Sequence, residues 1–186
     1  MTAQTMQIGN RPCRIYGETH AEHLLLQMTG EHELQSMDSE VATIAQSAHH
    51  FLFAAIPVES WNDALSPWKS PAVWGKQGFG GNAADTLRFL TEQVIPSLKQ
   101  QFDLPENVKI ILGGYSLAGL FALWASTQTA LFSGVAAASR WLGCLRCGHP
   151  PRQIYSMVSL PPRPLFGFRV GRSSNNITRY RHSAFI

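Results

Sequence analysis

The segment Gly114-Tyr115-Ser116-Leu117-Ala118-Gly119 stands between an apolar run of β type, Val108 to Leu112, and a helix-like run, Leu120 to Ala125. A serine at a sharp strand-to-helix turn is lifted above the end of a sheet only if the residues two before and two after it are small. Those positions hold Gly114 and Ala118. Ala118 departs from a strict G-x-S-x-G pattern, yet a methyl group is the least intrusive substitute, and Gly119 follows it. A helix starting at about Leu117 points its free N–H groups and the positive end of its dipole at the serine, so the Leu117 N–H is placed to donate to an oxyanion. A dinucleotide turn, G-x-G-x-x-G, fails because Tyr115 stands where its second glycine is needed, and a phosphate loop fails for want of its lysine. An inert junction is the competing reading. The strand and helix signals on both sides favour a presented nucleophile.

The rest of the chain supplies a scaffold for such a turn. The first seven residues read as a disordered lead. Leu24-Leu25-Leu26 centre a short buried strand, His23 to Met28, and Met37, Val41, Ile44, Ala45 and Ala48 fall near helical spacing within Gln35 to Ser47. His50 to Val58 is apolar almost without a break and reads as a central strand buried on both faces. A long loop, 58 to 81, carries Trp61, Trp68, Trp74 and Phe79 and closes on Gly78, Gly80 and Gly81. Asn82 is a candidate N-cap for a helix through Leu87, Leu90, Val94 and Leu98 that Pro96 is expected to kink. Gly134 to Ala138 is the last apolar strand. Four strands with three intervening helices predict a right-handed, doubly wound α/β sheet.

Composition narrows the functional classes. The 186 residues suit one domain, and 45% hydrophobic content reads as globular. No apolar run reaches the ~18 residues of a membrane span, and no basic-then-apolar leader opens the chain. Cys13, Cys144 and Cys147 cannot all pair within one chain, which suits a reducing compartment; the expected location is the cytoplasm. The net charge of +3 hides a division at Ser139. Residues 1–139 hold seven basic and all twelve acidic residues, a net of −5, while residues 140–186 hold eight arginines, no lysine and no acid, a net of +8. The tail scatters its arginines among Pro, Cys, Trp and Leu without a period, so neither nucleic acid nor a membrane surface is the expected partner. His20 with His23, and His49 with His50, lie at strand edges rather than on one helix face with a carboxylate. They read as solvated or structural, and no metal and no cofactor is expected.

Residues of about 8 to 139 resemble the α/β-hydrolase fold, in particular esterases related to siderophore esterases and esterase D. The resemblance is carried by Trp61-Asn62 with Leu65-Ser66-Pro67-Trp68, by Gly78-Phe79-Gly80-Gly81, by Gly113 to Leu123, and by Val135-Ala136-Ala137-Ala138-Ser139. It implies ester hydrolysis through an acyl-enzyme on a small-molecule ester, with Ser116 as nucleophile. The Leu117 N–H and a backbone N–H near Ser60 or Trp61 would form the oxyanion hole, and Trp61, Trp68, Phe79 and Tyr115 would wall the substrate pocket.

The resemblance stops at Arg140. In the family an Asp or Glu and then a His follow the last matched strand, whereas the last acid of this chain is Glu106, before the nucleophile. His182 has the order expected of the base, but Arg179, Tyr180 and Arg181 beside it match nothing in the family. The simplest explanation is that 140–186 is a frame-shifted or otherwise foreign ending, an irregular or disordered tail on a partial α/β-hydrolase domain, 1–139. Cys144-x-x-Cys147 with His149 lacks a second ligand pair for zinc, and Pro161-Pro162-Arg163-Pro164 fits a common polyproline form. Three functions are thus carried forward: a serine esterase with an unidentified base, an esterase-family protein inactive in this chain because the acid and histidine are missing, and a non-catalytic interaction protein using its basic, Pro-rich tail.

Overall fold

The computed structural model describes residues 2–72, 75–139 and 154–159, the last six and Ser139 by their backbone. Seven strands form one sheet in the order β1-β2-β4-β3-β7-β8-β9. They are β1 (Gln4–Ile8), β2 (Arg11–Gly17), β3 (His23–Thr29), β4 (Phe51–Pro57), β7 (Lys109–Tyr115), β8 (Gly134–Ser139) and β9 (Ile154–Ser159). β4, β3, β7 and β8 are mutually parallel, whereas β1, β2 and β9 join antiparallel at the two sides.

The run Phe51–Ile56 is buried at every residue because β4 has a strand on each side and helices above and below. Even-numbered residues of β3, Leu24, Leu26 and Met28, meet Leu52, Ala54 and Ile56 in the larger core. That core is closed by α3 (Ala83–Phe89), α4 (Ile95–Gln101) and α5 (Leu117–Gln128), through residues such as Leu98 and Phe121. On the opposite face Phe51, Phe53 and Ala55 pack with Tyr16 against Met37 and Val41 of α1 (Met37–Ile44). Helices thus cover both faces, as the resemblance implies.

Three expectations change. The leading residues are not disordered: β1 pairs with β2 over five positions, a hairpin hidden in the sequence because only Ile8 of β1 is buried. The 58–81 segment is not one loop. It contains a helical turn, α2 (Trp61–Ala64), and a small two-stranded sheet, β5 (Lys69–Ser70) with β6 (Phe79–Gly80). Pro96 falls at the second residue of α4. A π turn, Leu90–Val94, in which the Ile95 N–H reaches back to Leu90 O, joins α3 to α4 and widens the hydrogen-bond ladder just before the proline, which has no N–H to place. Finally, the tail is not irregular throughout, since β9 within it pairs with all of β8; the rest of 140–186 lies outside the described residues.

Asn82 occupies the N-cap of α3 as expected, but its side chain makes no capping bond. Tertiary contacts bind this junction instead. The Asn82 N–H donates to Asp63 O at 2.9 Å and the Ala83 N–H to Ser66 O at 3.1 Å. Thr86 Oγ1 donates to Ala64 O at 2.7 Å, and the Gly81 N–H to Ser66 Oγ at 2.8 Å. A Cβ on Gly80 would lie 2.5 Å from Asp63 Oδ1, so the glycine there is a packing requirement. The two separated motifs, at 61–68 and 78–81, are therefore halves of one folded unit.

Candidate active site

β7 lies between β3 and β8, both parallel to it, and ends at Tyr115. Ser116 follows with φ 57° and ψ −118°, a conformation that a side chain other than glycine's adopts only when the surroundings enforce it. The enforcement is visible. The Ser116 N–H donates to Ala138 O of β8 at 2.7 Å, and Ser116 O accepts from the N–H groups of Gly119 and Leu120 at 3.1 and 3.2 Å as α5 begins. The turn is tight enough that a Cβ on Gly114 would lie 2.5 Å from Ala118 Cβ, and one on Gly119 3.0 Å from Gly114 O. These are the sterics that require small residues at the two places, and Ser116 itself stays half-buried at the carboxyl end of the sheet.

Leu117 is the first residue of α5, and its N–H donates to no backbone acceptor among the described residues. Among the described residues nothing competes for it, as an oxyanion donor requires.

The strand order bears on the second donor. β3, not β4, is the neighbour of β7, with Met28 in register with Gly114. Gly30 lies two residues beyond Met28 and Ser116 two beyond Gly114, so the backbones leave the sheet side by side, strands being about 4.8 Å apart. The residue-60 region follows β4 and is one strand further away. Trp61 approaches the same exit with its ring, 3.8 Å from where a Gly30 Cβ would be.

The other expected residues separate. Phe79 lines an open cleft of about 570 Å³ with Asp63, Lys69 and Asn82. That cleft adjoins a second one of about 250 Å³ at Asp63 and Asn82, and neither is lined by Ser116, Tyr115, Trp61 or Trp68. Trp68 is 60% exposed. Tyr115 is half-buried on the elbow itself. Neither of these two clefts gathers the four aromatic residues. Trp74 and His182 lie outside the described residues.

His20, His23, His49 and His50 stand where β3 and β4 begin, at the amino end of the sheet, about a strand length or roughly 20 Å from the elbow. His20 pairs through Nδ1 with Asp103 at 3.2 Å on the surface, and His50 O closes the turn by accepting from the Glu22 and His23 N–H groups. His32, in the turn after β3, is the one histidine among the described residues at the elbow end. It carries no sequence signal, since only the strand order places its loop beside Ser116.

Comparison with solved structures gives the same architecture. The chain superposes on an IroE-like serine hydrolase from Shewanella oneidensis with a TM-score of 0.61 at 19% identity, over 71% of this chain and 48% of that one. The fold is that of an α/β-hydrolase. An enterochelin esterase from Shigella flexneri matches with a TM-score of 0.53 at 19% identity, over 74% and 36% of the two chains. The siderophore hydrolase EstA from Aspergillus nidulans matches at 0.50 and 18%, over 71% and 54%. The chain thus spans about half or less of the length of these neighbours. No protein-family model and no curated protein matches the sequence.

Proposed function

We propose that the chain is built for serine hydrolysis of carboxylic esters, with Ser116 as the nucleophile. The observation that carries this reading is the strained Ser116 backbone at the carboxyl end of a middle parallel strand, directly before α5. Ser116 Oγ would attack the ester carbonyl carbon, the alkoxide would leave with a proton, and water would release the acid from the acyl-serine. The oxyanion would be held by the Leu117 N–H together with the Gly30 N–H, rather than a donor near Trp61, because β3 is the strand beside β7. The structural neighbours include a serine hydrolase, a siderophore hydrolase and an enterochelin esterase, which supports the chemistry and points to a small-molecule ester.

Turnover should be slight. No Asp or Glu follows Ser116 in these 186 residues, so the order serine, acid, histidine is not completed. Loss of a triad histidine lowers turnover about a millionfold, while oxyanion donors alone retain on the order of a thousandfold over water. The test is therefore stoichiometric. A fluorophosphonate probe mixed with the protein should label it, and Ser116→Ala should abolish labelling. Equal labelling of both proteins would remove Ser116 from the mechanism.

A further inference from the structure

The turn after β3 carries a contact that the hydrolase reading leaves unused. The Gly30 N–H is not free: it donates to Glu33 Oε2 at 2.9 Å, and the Glu33 N–H returns to Gly30 O at 3.2 Å. The reciprocal pair closes a tight turn ahead of a single 3-10 turn, Glu33–Gln35. It also places a carboxylate on a backbone donor that leaves the sheet next to Ser116.

The turn is anchored from behind. Arg14 Nη1 on β2 donates to Leu34 O at 3.0 Å, and Arg14 Nη2 and Tyr16 Oη both donate to Asp38 at the start of α1, at 3.1 and 2.6 Å. Two groups inside it are held at a cost. The Glu33 carboxyl is half-buried, and this burial, with a smaller contribution from Glu40, raises its pKa despite the Gly30 bond. Thr29 is fully buried, and its Oγ1 has no hydrogen-bond partner among the described residues. A buried polar atom without a partner is uncommon in a relaxed structure. Both groups sit at the mouth of the same turn.

We infer that Glu33 controls access to the second oxyanion donor: its carboxylate occupies the Gly30 N–H in the resting protein, and acyl transfer at Ser116 requires that carboxylate to swing away. The inference rests on the hydrolase reading of Ser116. Its consequence is a preference: an anion approaching the two donors competes with Glu33 for Gly30, whereas Leu117 is open to it.

Two measurements on the full chain separate this inference from the reading beneath it. In the first, inorganic phosphate is titrated into ¹⁵N-labelled protein and the Gly30 and Leu117 amide resonances are followed. Glu33→Ala, which removes the acceptor, should give a saturable shift at Gly30 that the parent protein lacks, with Glu33→Gln intermediate because its neutral amide competes more weakly. A Gly30 response that is the same in parent and both variants, or absent from all, would overturn the inference. Glu33 would then be only the cap of its turn.

In the second, the fluorophosphonate reaction is timed: the Ser116 Oγ–P bond forms, the P–F bond breaks, and fluoride and the hydroxyl proton depart. Glu33→Ala should label roughly a hundredfold faster than the parent, the lower end of what one oxyanion donor contributes. Equal or slower labelling would count against Glu33. If no variant labels at Ser116, the hydrolase reading fails, and the Gly30 titration still decides whether Glu33 holds the donor.

Discussion

At the scale of single residues, the elbow is a steric argument before it is a chemical one. Gly114→Ala would force a Cβ to 2.5 Å from Ala118 Cβ, and it is expected to destabilise the fold by about 1–3 kcal/mol, read from urea unfolding. An unchanged midpoint would mean that the turn relaxes freely. Two buried protons set the behaviour in alkali. Burial pushes the Cys13 thiol from 9.0 up to about 11, against the pull of Arg11. Burial first, then the hydrogen bond to Asp38, pushes the Tyr16 hydroxyl from 10.0 up to about 12, against the pull of Arg14. Between the unfolded and folded values the native chain binds more protons, so this stability is complete below pH 9 and falls as pH rises through 9 to 12. Urea midpoints measured across that range should drop, and the drop should flatten in Cys13→Ala with Tyr16→Phe. An equally steep fall in the double variant would assign it elsewhere.

At the scale of elements, the sequence patterns were most legible where burial is symmetrical. The apolar block of β4 and the glycine-rich end of β7 announce themselves because each has a strand on both sides. β1 and β2 do not. β1 is an edge strand with only Ile8 buried, and β2, although paired on both sides, carries Arg11, Pro12 and Arg14, so Arg14 and Tyr16 look like surface residues until β2 is paired with β4. In the fold those two side chains tie β2 to α1 through Asp38. Tyr16→Phe removes one donor to a carboxylate that Arg14 still holds, and should cost about 1 kcal/mol. Chemical denaturation would show it, and a gain in stability would mean that the phenol is better replaced by a ring alone. The same network steadies the turn bearing Gly30 and Glu33, so hydrogen exchange at Gly30 should quicken in that variant.

At the scale of the whole molecule, the two sides of the sheet are unequally covered. On β8, Val135 and Ala137 are both buried in the core beneath α5, while Ala136 between them is exposed, so the α1 side of that strand lacks cover among the described residues. β9 gives β8 a hydrogen-bonding partner without needing to cover that face. Ending the chain at Ser139 would turn β8 into an open edge, and such edges recruit other strands. The shortened protein is expected to scatter light and elute early in gel filtration at concentrations where the 186-residue chain does not. A monodisperse shortened chain would show that β9 contributes no protection.

The sequence alone determined the sharp turn at Ser116 and the parallel strands beside it, because sterics at Gly114 and Ala118 and burial on both faces of β4 leave a local imprint. It also recorded that no acid follows Ser116. What stands opposite that serine was decided only in three dimensions. Strand order places β3 next to β7, so Gly30, the Glu33 that accepts its N–H, and His32 are brought to the Ser116 end of the sheet from a turn some eighty residues upstream. Hydrogen bonding between strands sets adjacency in a sheet, and neither spacing along the chain nor residue type encodes which strand that neighbour will be.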